Sequence, residues 1–298
     1  MTENVKPVHI LDLELTNYCN ADCVFCPRDS LGRQTGLMSR ETLDAIIENI
    51  DGFDFRSINL SGFGEPLLNK KIWEFVRLIK SSNDSPLVLV TNGALMHEDA
   101  ARFILDTGID EVRVSYNGSS EEIYNAMMKR LDYHATTANV LGLIRTKGAR
   151  QKPVVSINTV ATDYNTRDLN NLINFWTEHG ADKIVVHQCH NRGGYLPDMN
   201  IREDIIREVV QGERADIKPQ IQQFPTEINC KLYNEQIFVA WNGKVLLCCN
   251  DLEGGYVLAD ITSQNIKEIL HIKGQYKDLP AMPALCQDCQ YHPIQTKR

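Results

Sequence analysis

The chain has 298 residues, 43% hydrophobic and 7% aromatic, with 39 acidic against 31 basic residues and a formal net charge of −8. No apolar run approaches the roughly 20 residues of a membrane span, and no Lys/Arg tract offers the basic face that a duplex nucleic-acid binder needs. Without a basic-then-apolar leader the expected compartment is a reducing cytoplasm, where nine cysteines read as metal ligands or catalytic thiols rather than disulfides.

In chain order, a strand is predicted over Ile10 to Leu15, followed by Cys19, Cys23 and Cys26 in the run C-N-A-D-C-V-F-C. Four thiolates normally close a four-iron cluster, so a local set of three leaves one iron open to a substrate or cofactor. A zinc knuckle or buried thiols are the alternatives. Structural zinc takes four protein ligands, however, and His9 lies upstream inside the apolar strand.

Ser39 is a good N-cap for a helix over Arg40 to Ile50. A strand over Ser57 to Leu60 then runs into Ser61-Gly62-Phe63-Gly64-Glu65-Pro66. After Asn69, residues Ile72, Phe75, Val76 and Ile79 are spaced for one apolar helix face. Further strands are predicted over Leu87 to Thr91, Glu111 to Tyr116, Val154 to Val160 and Lys183 to His187. Helices alternate with them over His97 to Asp106, Ser120 to Met128, Thr137 to Arg145, Asp168 to His179 and Ile201 to Val210. Repeated strand–helix units build a parallel sheet with helical crossovers, and six such strands suggest an incomplete barrel with ligands at the strand C-terminal ends.

Near Gly212 the pattern changes. Ala215 to Pro225 is rich in Gln and Pro and reads as a connector, so residues 1–212 and 213–298 are expected to form a barrel and a small appendage. The appendage carries Cys230, a hairpin of Ile237 to Val239 and Val245 to Leu247 turning at Asn242-Gly243, a helix over Asn265 to Leu270, and Cys286-Gln-Asp-Cys289. With few large apolar groups it is expected to need a metal centre for stability.

Cys19-x3-Cys23-x2-Cys26 followed by Gly62-Phe63-Gly64-Glu65-Pro66 resembles the radical S-adenosylmethionine (SAM) enzymes. The resemblance implies an α/β fold, a partial (β/α)6 barrel with a small C-terminal iron–sulfur domain, and a 4Fe-4S cluster whose open iron chelates SAM. It implies SAM contacts at Gly62, Gly64 and Glu65, an adenine-side role for Phe25, and ribose or carboxylate contacts at Ser115, Asn117 and Asn158; from its place after the sixth strand, Arg192 could reach a SAM carboxylate or a substrate oxygen. Cys230, Gly243, Cys248 and Cys286-x2-Cys289 resemble a short auxiliary-cluster extension of the SPASM/Twitch type, with the four cysteines holding a second 4Fe-4S cluster. Zinc on the same four remains the alternative.

Cys189 and Cys249 are left over. Cys249 adjoins Cys248 and is the candidate hydrogen donor for an epimerase, with burial as a small hydrophobe the alternative. His187, His190 and Arg192 suit a polar ligand or, equally, structural hydrogen bonds; Asp22 and Asp29 suit an amine-bearing substrate or plain solvent; Tyr116 and Trp241 could stack on adenosine or a sugar, with core or hairpin packing the favoured alternative. The short extension resembles that of aminoglycoside-modifying enzymes of the neomycin C epimerase type and of cyclitol dehydrogenases. The leading expectation is epimerisation of an amino sugar, fed by a donor such as flavodoxin or ferredoxin. A cyclitol or sugar-alcohol dehydrogenase and a ribosomal-peptide-modifying enzyme are the rivals. A plain electron carrier would not need the Gly-rich run or the missing fourth thiolate.

Overall fold

A computed structural model describes residues 9–196, 220–222, 230–275, 284–287 and 289. Its strands are β1 (Ile10–Leu13), β2 (Asp22–Cys23), β3 (Ser57–Leu60), β4 (Leu87–Thr91), β5 (Glu111–Ser115), β6 (Met128–Lys129), β7 (Val154–Ala161), β8 (Lys183–Gln188), β9 (Gln220–Gln222), β10 (Gln236–Val239), β11 (Lys244–Leu246) and β12 (Val257–Asp260). One sheet runs in the order β12-β11-β10-β1-β3-β4-β5-β7-β8-β9, while β2 and β6 pair with each other. From β10 across to β9 every neighbour is parallel; only β10–β11 and β11–β12 are antiparallel. Among the described residues the sheet is open at both ends, as an incomplete barrel requires.

The helices are α1 (Arg40–Asn49), α2 (Ile72–Ser82), α3 (Glu98–Asp106), α4 (Glu121–Met127), α5 (Tyr133–Lys147), α6 (Leu169–Glu178), α7 (Lys231–Glu235), α8 (Ile266–Gln275) and α9 (Ala284–Gln287). Side-chain caps set several starts: Ser39 accepts from Thr42 N, Ser120 from Ile123 N and Asp132 from Ala135 N. The Asp132 cap is why α5 begins before the expected Thr137.

Strand alternation divides the sheet into two faces. Leu11, Leu13, Ile58, Leu60, Leu87, Leu89, Val112, Val114, Val155, Ile157, Ile184 and Val186 join one core with helix residues such as Ile46, Phe75, Val140 and Trp176. The intervening positions, among them Asp12, Asn59, Arg113, Ser156 and Asn158, take the inner face.

One expectation for the tail needs correction. Gln220–Gln222, placed in the connector, forms β9 on the edge of β8, where unpaired backbone groups can recruit even a polar segment. The hairpin does not build a sheet of its own: Ile237 and Val239 pair in register with Leu11 and Leu13, which lets them share the same apolar layer. Gly243 turns the hairpin at φ +82. The expected helix over Ile201 to Val210 and the division at 212/213 lie outside the described residues. Among the described residues, no helix is long and apolar enough to cross a membrane.

Trp176 is fully buried and stands edge-on to Tyr116, with ring centroids 4.8 Å apart. Trp176→Ala is expected to lower unfolding free energy by about 3–5 kcal/mol, read from the midpoint of urea denaturation.

Candidate functional site

The first three cysteines lie on the loop leaving β1. That loop is held down by β2 against β6 and by Val24 N donating to Met127 O at 3.0 Å. Cys23, with Met128 Sδ 3.5 Å from its sulfur, is an electrostatic neighbour of both Cys26 and Cys19. Burial raises all three thiols above the ordinary cysteine value, with Arg192 opposing the rise at Cys26. A metal centre takes them as thiolates, so it must supply the positive charge that the buried loop lacks. An all-sulfur donor set fits iron–sulfur chemistry. Among the described residues, no group of three His, Cys, Asp or Glu side chains is set to hold a single metal ion.

The Gly-rich run packs directly on this loop. A Cβ on Gly64 would lie 2.2 Å from Thr16 O and 2.4 Å from Tyr18 O, and one on Gly62 would lie 2.4 Å from Glu14 Cγ. Only glycine allows that approach. Glu65 N donates to Tyr18 O at 2.8 Å. The buried Glu65 carboxylate accepts from Leu67 N, from Thr91 Oγ1 and from Asn92 N. Burial pushes its carboxyl up to about 7 against these three donors. Asn92 also donates to Asn20 Oδ1 at 2.8 Å, joining the end of β4 to the cysteine loop. Thr91 and Asn92 escaped the sequence reading because they stand at the end of an otherwise plain apolar strand.

The strand-end candidates divide. Ser115 and Asn158 are neighbours in register on β5 and β7, and Asn158 Nδ2 lies 3.0 Å from His187 Nε2. Asn117 is fully buried: its Oδ1 accepts from Val160 N at 2.6 Å and from Thr159 Oγ1, and its Nδ2 faces Met128 Sδ. It therefore braces two strands instead of offering a free contact. Phe25 is half-buried against the core. Tyr116 is fully buried in an aromatic group with Tyr124 and Trp176, and so cannot stack on a ligand. Trp241 covers Gly36 and donates its Nε1 to Gln34 O. Asp22 pairs with Arg28 and Arg130 near the surface, while Asp29 is exposed.

Arg192 joins the two cysteine sets. It has a left-handed backbone at φ +51, and its guanidinium lies 5.8 Å from the Phe63 ring centroid. Its Nη1 reaches Asn250 Oδ1 at 3.4 Å, and its charge is felt at Cys26, Cys189 and Cys249. His190 accepts from Arg192 N; burial, aided by that guanidinium, lowers the imidazole to about 2 and keeps it neutral.

Cys230 caps α7, Cys286 lies on α9, and Cys248 and Cys289 are gathered by Asn250. The Asn250 backbone N donates to Cys248 Sγ at 3.4 Å and its Nδ2 to Cys289 Sγ at 3.9 Å. Burial raises Cys248 well above the usual value and pushes Cys286 up to about 12. Cys230, Cys248 and Cys286 are each within electrostatic reach of other members of the set, a second all-sulfur group that suits a cluster. Cys249 packs with Phe238, Ala240 and Leu246; it is an electrostatic neighbour of Cys248, Cys289 and Cys230, and also of Asp12 across the inner face. Cys189 is buried, 3% exposed.

A pair missed entirely from sequence is Glu14 and Arg33. Arg33 donates two bonds to the fully buried carboxylate, at 2.5 and 2.6 Å, and lies over Phe63 and Phe238. Glu14 also accepts from Phe63 N at 3.1 Å and from Trp241 N at 3.4 Å. Only the fold reveals that these residues meet.

Residues 13–175 match the family model described as Radical SAM superfamily, and residues 230–290 match an iron-sulfur cluster-binding domain. Among curated proteins the chain is 28% identical over 176 residues to a "Probable GTP 3',8-cyclase" of Methanothermobacter marburgensis, covering 59% of this chain and 56% of the relative. That match thus spans little more than half of the relative's length. A protein of the same name from Saccharolobus islandicus is 25% identical over 292 residues, covering 92% of this chain and 90% of the relative. Among solved structures, BtrN in complex with AdoMet and 2-DOIA superposes with a TM-score of 0.64 at 19% identity, covering 96% and 94% of the two chains. Streptococcus suis SuiB bound to S-adenosylmethionine gives a TM-score of 0.74 at 14% identity over 97% and 72%. Likeness at these identities shows a shared fold.

Two substitutions test the construction of the site. Gly64→Ala is expected to abolish iron binding, because its Cβ would meet backbone oxygens that cannot move aside; iron per purified chain is the readout. Arg33→Met should cost about 3–5 kcal/mol by leaving the Glu14 charge buried alone. The double variant with Glu14→Gln should recover part of that loss in the same denaturation experiment.

Proposed function

Because the chain belongs to the Radical SAM superfamily, whose model spans residues 13–175 of it, we propose that it is an epimerase inverting a C–H stereocentre of an aminoglycoside or related sugar. The observation that carries this reading is Cys249. It is a thiol beyond the four cysteines of the auxiliary set, packed beside Phe238 on the inner face and felt by both Asp12 and Arg192. Arg192 in turn is an electrostatic neighbour of Cys26 in the first set. A thiol at the auxiliary set, linked through Arg192 to the first set, suits a reaction that takes hydrogen from one face and returns it to the other.

Cys19, Cys23 and Cys26 would hold the SAM-binding 4Fe-4S cluster, and Cys230, Cys248, Cys286 and Cys289 an auxiliary one, with residues 213–298 as the auxiliary region. When bound, the first cluster would supply the low-potential electron for reductive cleavage of SAM, the chemistry that can take hydrogen from an unactivated C–H bond. Gly62, Gly64 and Glu65 would hold the methionine end, with Phe25, Ser115 and Asn158 toward adenosine and Arg192 toward a carboxylate or substrate oxygen. Cys249 then breaks its S–H bond and forms a C–H bond on the opposite face of the carbon radical. The sulfur radical left behind takes one electron from a flavodoxin- or ferredoxin-like donor and one proton from solvent, restoring the thiol. Cytoplasm is the compartment whose reductants suit this cycle.

A second reading, cyclisation of a nucleotide, is favoured by the full-length similarity to a probable GTP 3',8-cyclase. Dehydrogenation of a cyclitol is a third outcome of the same radical.

One experiment separates them. Anaerobically reconstituted wild type and Cys249→Ala are incubated in deuterated water with reductant, SAM, and either amino sugars, cyclitols or GTP. Epimerisation predicts a single deuterium at an inverted carbon. In Cys249→Ala the epimer should fall by about tenfold or more, with 5′-deoxyadenosine still detected. A ketone two hydrogens lighter, formed equally by the variant, would replace this reading with dehydrogenation. Conversion of GTP would replace it with cyclisation.

A further inference from the structure

The inner face holds an unsatisfied polar pair that no role above uses. Asp12 on β1 and Asn59 on β3 are register partners, and Phe238 on β10 is the partner of Asp12 on the other side. Asp12 is 4% exposed and Asn59 is 5% exposed. Asn59 Nδ2 donates to Asp12 Oδ1 at 2.8 Å, which turns Asn59 Oδ1 the other way, buried and without a hydrogen-bond partner. Asp12 Oδ2 receives no hydrogen bond among the described residues. Asp12 is therefore a nearly buried carboxylate held by a single side-chain donor, an arrangement a folded protein does not keep without cost.

The charged groups around the pair do not supply the donor. Arg113 on β5 is within electrostatic reach of Asp12, but its guanidinium is bound to Glu111 at 2.8 Å, and Lys183 lies 3.8 Å from the same Glu111. On the other flank Asp12 interacts electrostatically with Cys249, which packs against Phe238. The carboxylate thus shares the inner face with the thiol and lies within its electrostatic reach.

We propose that the Asp12 carboxylate, oriented by Asn59, forms a subsite for a protonated primary amine of the substrate on the same inner face as Cys249. The proposal rests on the amino-sugar reading above and deepens it. A hydroxyl brings one donor and no charge, whereas an ammonium brings three donors and the charge that matches a carboxylate. Burial pushes the Asp12 carboxyl up to about 6, a penalty that a bound cation offsets. Asp12 would act here by binding and orienting, while the hydrogen comes from Cys249.

The test is equilibrium binding by calorimetry on protein reconstituted with its iron and sulfide, using 2-deoxystreptamine as the amine probe and myo-inositol as its hydroxyl-only counterpart. Wild type is expected to bind 2-deoxystreptamine. Asp12→Asn and Asn59→Leu should each weaken that binding by about tenfold or more. Asp44→Asn on the exposed face of α1 should not change it. Iron content and the urea midpoint of Asp12→Asn should match wild type or exceed it, since the change removes a buried charge without altering shape. Equal affinity in Asp12→Asn, Asp12-dependent binding of myo-inositol, or no amine binding by wild type would each overturn the subsite. Failure of the epimerase reading leaves a different trace: Asp12-dependent amine binding with no deuterium at an inverted carbon. Failure of the subsite alone would leave deuterium incorporation intact with amine affinity indifferent to Asp12.

Discussion

One buried carboxylate ties the site together. Glu14, in the residue after β1, accepts two bonds from Arg33, one from Phe63 N in the Gly-rich run and one from Trp241 N in the tail hairpin, while its own N donates to Val239 O. A charge with no exposed surface is stable only when paired and hydrogen-bonded, so these partners are held together or lost together. The segments they belong to are the loop after the third cysteine, the backbone next to Gly64, and the turn that leads to Cys248. The local geometry of both cysteine sets therefore depends on an interaction that contains no cysteine.

The parallel sheet supplies the second constraint. Because side chains alternate, the residues that anchor the helices on the outer face dictate which residues point inward. Leu11 and Leu13 in the core require Asp12 to face the interior, and Ile58 and Leu60 do the same for Asn59. A shift of one residue in either strand would bury its polar set against the helices. Thus the inner-face chemistry is protected by hydrophobic packing on the opposite side of the same strands. The tail hairpin obeys the same rule: Ile237 and Val239 enter the core, while Phe238 turns inward beside Asp12 and Cys249.

Much of the fold was legible because its signals are local. Strands β3 and β4 and helices α1 and α2 follow from short apolar patterns, an N-cap serine and turn residues, each within a few positions of the element it sets. The cysteine spacing and the Gly-rich run were legible for the same reason, since both are consecutive in the chain. Asn117 and Tyr116 show that residue type and strand-end position say nothing of whether a side chain turns inward. Asn117 is used up by β7 and Met128, and Tyr116 by its aromatic neighbours.

The chain by itself determined the class of chemistry: three thiols in one loop, glycines where no Cβ fits, and four more thiols in the tail, all set by covalent order. Tertiary structure decided what that order cannot carry. It put the tail hairpin on the edge of β1, brought Arg33 to Glu14 and Asn250 to both Cys248 and Cys289, and set Asp12 across the inner face from Cys249. Each of these pairings joins residues distant in sequence through strand register or buried charge, and such contacts exist only once the sheet has chosen its neighbours.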